Sequence, residues 1–255
     1  MRRLYSKMAK LALCLSGQLR TWRKCIDTWH NIYGGYDIDI FCHTWDVNTL
    51  PNNVYHKSRE NQKLEYIAKE EIEEFKSLVK PKKMVVDPYR VFPKISNDLA
   101  ISDSNYLSQY YGIMQAAQLK RDYEIENDIV YDLVIRSRYD LFFKNDVSQS
   151  FRKLRENTFH GFHFGWGSTH EGRIGDMFWF ADSYAYNIIA RFYHGLRSIK
   201  KSNFVSTTLN PEMVLFYYLK KNNIKLEVEN FWDIKIFRGS EKAVSNKEAG
   251  SHEIW

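Results

Sequence analysis

Cysteine is scarce in this chain: Cys14, Cys25 and Cys42 are the three among 255 residues, an odd number with no CxxC pair. That speaks against a disulfide framework and against a zinc module, and it points to a reducing compartment. Cys14 and Cys42 lie inside apolar runs and read as small buried hydrophobes. Long apolar runs are missing too. The longest near the N-terminus, Leu11–Leu15, is too short for a signal-peptide core or a membrane span, so a cytoplasmic protein is expected, touching a membrane surface at most peripherally. Phosphate loops of the GxxxxGKS/T and GxGxxG types are absent, as is a GxSxG elbow, which removes support from NTPase and hydrolase readings. No internal repeat or low-complexity linker occurs.

What is present is apolar and strongly aromatic. The chain is 44% hydrophobic, with 17 Tyr, 16 Phe and 7 Trp, which rules out disorder as a description of the whole. Such rings fill cores, and they also line sites for planar bases and sugars. The formal charge is +6, which favours anionic partners without choosing among nucleotides, nucleic acid and acidic membranes. The positive side chains are scattered (Arg2, Arg3, Lys7 and Lys10, then Lys80, Lys82 and Lys83, then Lys200 and Lys201), as on solvated faces.

The opening segment is β-α-β. Leu11–Leu15 reads as a strand, Ser16-Gly17-Gln18 as a turn, and Thr21 to Ile32 as a helix with Trp22, Cys25, Ile26 and Trp29 at helical spacing. Gly34-Gly35 ends that helix, and Tyr36 to His43 alternates with period two. This predicts a parallel sheet with right-handed crossovers. Further along, helices are expected over 63–79, 106–124, 183–198 and 211–221, with strands at 83–86, 129–135, within 160–180 and within 224–237. One α/β domain over residues 1–238 is the expectation, a nucleotide half to about residue 145 and an acceptor half after it, followed by a polar tail or lid at 239–255.

The segment YDLVIRSRYDLFF carries the most chemistry. An apolar strand runs into Arg136, Ser137, Arg138, Tyr139 and Asp140, and two guanidinium groups beside a carboxylate are costly to bury unless paired or ligand-bound. Ligands of open α/β sheets bind beyond the carboxyl ends of strands, where this cluster falls. Arginines around one acid suit a pyrophosphate with its metal; an internal Arg–Asp pair joining two layers is the plainer alternative.

Other candidates gather at expected strand ends. Ser16, Gly17, Gln18 and Arg20 follow the first strand and suit backbone approach to a phosphate at a helix N-terminus, or an ordinary βα turn. His43, Thr44 and Trp45 end the second strand and suit a nucleobase, with Asp46 on a ribose; a buried Trp45 is the structural counterpart. Asn105 and Gln109 share one helical face, and Gly112 in mid-helix suggests close approach of another element. His160, His163 and His170 lack metal-ligand spacing. Asp176 and Glu212 are candidate general bases for an acceptor hydroxyl, although Glu212 after Pro211 also suits a helix dipole.

Taken in order, LALCLSGQLR, DIDIFCHTWD, SNYLSQYYGIMQAAQL, YDLVIRSRYDLFF, GDMFWFADS and PEMVLFYYL make the chain resemble GT-A type glycosyltransferases and glycosyltransferase-like proteins of bacteria and large DNA viruses or phages, over about residues 10–222. The resemblance implies a Rossmann-like α/β fold with a central, mostly parallel sheet flanked by helices. It also implies transfer of a sugar from a nucleotide-diphosphate donor to a glycan, lipid-linked or protein acceptor in surface polysaccharide or glycan synthesis, and no nucleic-acid partner. In that picture RSRYD replaces the DxD motif. Asp140 matches its last acid and would hold Mn2+ or Mg2+, Arg136 and Arg138 would contact the donor, and Glu212 or Asp176 would act as base. Arg138 stands where the first Asp of DxD sits, a departure that questions metal dependence. Aromatics at Phe162, Phe164, Trp166 and Trp179 would offer sugar platforms. The rival readings are a basic nucleic-acid-binding module and a nucleotide-sugar-binding relative that does not transfer.

Overall fold

The computed structural model describes residues 10–48, 65–92, 98–99, 104–161, 174–204, 211–228, 233–237 and 243–245. The architecture is α/β. Strands β1 (Leu11–Gly17), β2 (Ile38–Trp45), β3 (Lys83–Asp87) and β4 (Leu133–Ser137) are mutually parallel in the order β3-β2-β1-β4. A short β5 (Leu141–Phe143) leaves this sheet. It returns through β6 (Thr158–Gly161), β7 (Trp179–Ala181) and β8 (Lys225–Val228), giving a seven-stranded order β3-β2-β1-β4-β7-β6-β8. Only β7 runs against its neighbours; β6 and β8 pair parallel. A second, antiparallel sheet joins β5 to β9 (Ile234–Phe237) and β10 (Ala243–Ser245). The last of these lies inside the segment expected as a polar tail, so part of that segment is sheet: backbone pairing with β9 ordered residues whose hydrophobic signal was too weak to read.

The sheet is buried on both faces, as the near-continuous apolar runs of β1 and β4 require. On one face, Ala12, Cys14, Phe41, Trp45 and Val134 pack under α4 (Ser104–Glu126), α5 (Ser183–Ala190), α6 (Phe192–Gly195) and α7 (Pro211–Lys221). On the other, Leu13, Leu15, Ile40, Leu133 and Ile135 meet Trp22, Trp29, Phe75 and the second sheet. This second face carries α1 (Trp22–Cys25), α2 (His30–Tyr33) and α3 (Lys69–Val79). Alternation along the strands therefore decides which residues α4 covers.

The helix expected over Thr21 to Ile32 is interrupted. Thr28 turns its hydroxyl to the Cys25 carbonyl at 2.7 Å and accepts the Phe143 amide at 3.1 Å, so a 3-10 turn at Ile26–Thr28 separates α1 from α2. The helix expected over 183–198 likewise breaks at Arg191, into α5, α6 and a 3-10 turn. There Gly195 meets the Tyr218 ring, which a Cβ would approach to 2.3 Å.

One buried charge network fixes α4 to α5. Lys120, fully buried, donates to Glu124 at 2.9 Å and to Ser183 Oγ at 2.5 Å, while Glu124 accepts from Ser183 and from the Tyr131 amide. Every charge has a partner, so the network holds α4 in place over the sheet.

His160 is buried in β6, stacked on Phe180 with centroids 4.5 Å apart, and its Nε2 accepts the Arg155 amide at 3.3 Å. That is a core histidine. Burial pulls its pKa down to about 4, with Arg155 and Lys153 acting in the same direction. The unfolded imidazole protonates as pH falls through about 6.5, whereas the folded ring stays neutral to about 4. Unfolding therefore takes up a proton in that window, and stability declines by roughly 3 kcal/mol as pH drops across it. Urea unfolding at pH 7, 5.5 and 4 checks this; His160→Phe is expected to flatten the profile.

Candidate active site

Ser16, His43 and Arg136 end three adjacent strands and share the face covered by α4. Parallel register pairs Ser16 with His43 and Cys14 with Arg136, and the alternation that buries Ala12, Cys14, Phe41 and Val134 turns the next residues of the same parity the same way. The face thus grades from apolar to polar toward the carboxyl edge of the sheet. Gly17 closes β1 with φ +132°, a conformation that L side chains rarely adopt, and nothing lies within 4 Å of where its Cβ would stand. That edge is open at the backbone of β1.

The polar atoms there are buried and short of partners. Ser16 Oγ, Gln18 Nε2, His43 Nδ1 and both Nε and Nη1 of Arg136 have no hydrogen-bond partner. Arg136 is 1% exposed. Burial draws its guanidinium down to about 10, still protonated at neutral pH. Buried polar groups are nearly always satisfied, so these atoms are open to completion by a ligand or by ordered water.

Arg138 and Asp140 have a different fate. Arg138 Nε donates to Asp140 Oδ1 at 2.8 Å and Nη2 to Oδ2 at 2.6 Å, a bidentate pair with Asp140 2% exposed. Burial works to lower the Arg138 pKa, but the Asp140 charge and hydrogen bonds hold it above its usual value. The implied Mn2+ or Mg2+ site does not fit this donor set. Both oxygens of Asp140 are engaged by a cation already, and no group of three His, Cys, Asp or Glu among the described residues is arranged to hold a metal ion.

Asp176 joins the arginines. Gln109 of α4 donates to its Oδ2 at 2.7 Å, across 67 residues of chain. Burial raises the Asp176 pKa, against the pull of Arg138, the Gln109 hydrogen bond and Arg136. Tyr110 is close enough to both candidate bases to feel their charge. Its hydroxyl donates to the Pro211 carbonyl at 3.4 Å, and burial, Asp176 and Glu212 together raise its pKa well above the ordinary tyrosine value. Glu212 stands in the first turn of α7, part-buried. The fold therefore gathers Gln109, Arg136, Arg138, Asp140 and Asp176 directly, with Glu212 within electrostatic reach of Tyr110.

Other expected contacts are absorbed by the core. Trp45 is 2% exposed, stacked on Tyr111 with centroids 5.6 Å apart, and edged by His43, Tyr89 and Phe92. Its ring is closed to a nucleobase. Thr44 is fully buried and donates to the Trp45 carbonyl at 3.3 Å. Asp46, read for a ribose, instead accepts the Tyr89 amide at 2.7 Å. At the first turn, α1 has only four residues, a short helix to carry a phosphate, and the Arg20 amide is taken up by Asn48 Oδ1 at 2.8 Å. Trp179 is buried against Phe159 and Tyr186. Phe162, Phe164, Trp166, His163 and His170 lie outside the described residues, and Asn105 is described by its backbone alone.

Asp87 and Tyr111 were not legible as partners of His43. Asp87 ends β3 and accepts from Tyr111 at 3.0 Å and faces His43 Nε2 at 3.2 Å, while Arg90 covers the Tyr111 ring at 4.5 Å. Burial lowers the His43 pKa, with Asp87 opposing. Asp87 at Nε2 and the unpartnered Nδ1 orient this ring toward α4. A Cβ on Gly112 would stand 3.0 Å from His43 Nδ1 and 3.5 Å from Ser16 Cβ, which explains the mid-helix glycine as close approach of α4 to this edge. The position of Asp87 at a strand's carboxyl end was the available signal.

Compared with models of protein families and with curated proteins, the chain matches none.

Proposed function

We propose that the protein is a glycosyltransferase that moves a sugar from a nucleotide-diphosphate donor to an acceptor hydroxyl. The observation that carries this reading is the buried Arg136, with Nε and Nη1 unpartnered at the carboxyl edge of a parallel sheet. A guanidinium held there at a desolvation cost of several kcal/mol is retained where an anionic ligand completes it. Ser16 Oγ, the Gln18 amide and His43 Nδ1 add neutral hydrogen-bonding groups at the same edge. Asp176, within electrostatic reach of Arg136, and Glu212 are the candidate bases in this reading.

The chemistry follows from those positions. The acceptor oxygen forms a bond to the anomeric carbon as the bond from that carbon to the diphosphate oxygen breaks, and the electron pair leaves with the nucleoside diphosphate. Arg136 donates to the departing oxygens, where negative charge grows. The acceptor proton passes to a carboxylate within hydrogen-bond reach. Asp176 suits that role: Gln109 fixes its orientation through Oδ2, and burial moves its pKa upward, toward the range of an effective base. Glu212, within electrostatic reach of Tyr110, is the alternative base.

A thermal-shift screen of UDP-, GDP-, TDP- and CMP-sugars tests the reading. A true donor at a hundredfold excess over its Kd is expected to stabilise the fold by about 2.7 kcal/mol. No stabilisation from any of the three diphosphate classes, with or without a response to the CMP-sugars, would contradict it.

A further inference from the structure

We infer that this chain grips a diphosphate through Arg136 without a divalent cation, Arg138 and Asp140 serving as a closed pair that positions the strand end. The inference rests on the donor reading above and concerns how the donor's charge is met. Three observations carry it. First, Asp140, the one acid of the RSRYD segment, has both oxygens in a bidentate fork with Arg138, at 2.8 and 2.6 Å, and is 2% exposed. A cation would have to share that carboxylate with the positively charged guanidinium, which competes for its charge. Second, Arg136 is as deeply buried but has two nitrogens, Nε and Nη1, without an acceptor. Third, the Ser16 hydroxyl, on the adjacent strand two residues beyond Cys14, the register partner of Arg136, and the Gln18 amide nitrogen just after that strand are both capable of donating and both unpartnered. The site offers donors to an anion and has no uncommitted acid in the RSRYD segment for a metal.

The charges favour the same division. Arg138 and Asp140 cancel each other, leaving Arg136 as the guanidinium aimed at a ligand. Asp176, the other nearby acid, accepts from Gln109 rather than from Arg136. A planar guanidinium can bind two oxygens of a diphosphate in parallel and so meet its charge without a metal ion. Arg138 is accordingly a positioning residue: neutralising Asp140, it keeps a second negative charge away from the phosphates.

Calorimetric titration of the full chain with UDP, GDP and inorganic pyrophosphate, in EDTA and in Mg2+, tests this. The expected result is binding in EDTA by at least one of the three, with an affinity that Mg2+ changes by less than about threefold, under 1 kcal/mol. Arg136→Lys and Arg136→Gln are expected to weaken it about tenfold to a hundredfold, the range for charge-assisted hydrogen bonds. Binding that requires Mg2+ and disappears in Asp140→Asn would overturn the inference, because Asp140 would then leave Arg138 to hold a metal. The wild-type comparison decides this even where a variant fails to fold. Binding in EDTA without sugar transfer from any nucleotide sugar would uphold the inference and defeat the transferase reading; no binding in either buffer defeats both.

Discussion

Arg136→Met is expected to lower sugar transfer about 100- to 1000-fold while leaving the folded chain at least as stable as the wild type. The first half follows from removing the buried cation that the proposed mechanism sets against the departing diphosphate, an effect of the size seen when an oxyanion donor is deleted. The second half follows from burial. Arg136 is 1% exposed, its Nε and Nη1 have no acceptor, and desolvation draws its pKa down to about 10. Replacing an incompletely satisfied buried charge with an apolar side chain of similar length is neutral or stabilising. Turnover and urea unfolding of the same preparation separate the possibilities. Lower stability with unchanged turnover would make Arg136 a structural residue.

Asp140→Ala has the opposite signature in stability. The bidentate pair is a single unit, so losing the carboxylate strands Arg138 with neither of its two hydrogen bonds. Breaking a buried pair from one side costs about 3–5 kcal/mol, and that loss is expected here. The double variant Arg138→Met, Asp140→Ala is expected to recover most of it, because no uncompensated charge remains. Chemical denaturation of both single variants and the double variant gives the coupling. Additive losses would show that the two residues act independently.

How much of this could be read from the residues varies with sequence distance. β1 and β2 follow from LALCL and from the alternation in YDIDIFCH, and the parallel pairing follows from the intervening turns. The RSRYD cluster is also visible, since an apolar strand ending in charge is unusual. Its internal division is not. Period two treats Arg136, Arg138 and Asp140 alike, but β4 ends at Ser137 and the chain then turns, so Arg138 reaches Asp140 two residues on while Arg136 stays on the sheet face. The contact of Gln109 with Asp176 crosses 67 residues and has no local signal. Trp45 has the composition of a stacking platform, yet four surrounding rings make it core. Gly112 is the favourable case: its cost in a helix pointed to a close neighbour, and His43 with Ser16 is that neighbour.

The most direct measurement is a crystal structure of the protein with the nucleoside diphosphate that stabilises it most. Phosphate oxygens within hydrogen-bond distance of Arg136 Nε or Nη1, at the edge shared with Ser16 and His43, are the predicted result. A ligand bound elsewhere, with the Arg136 guanidinium closed onto protein acceptors, would contradict the account.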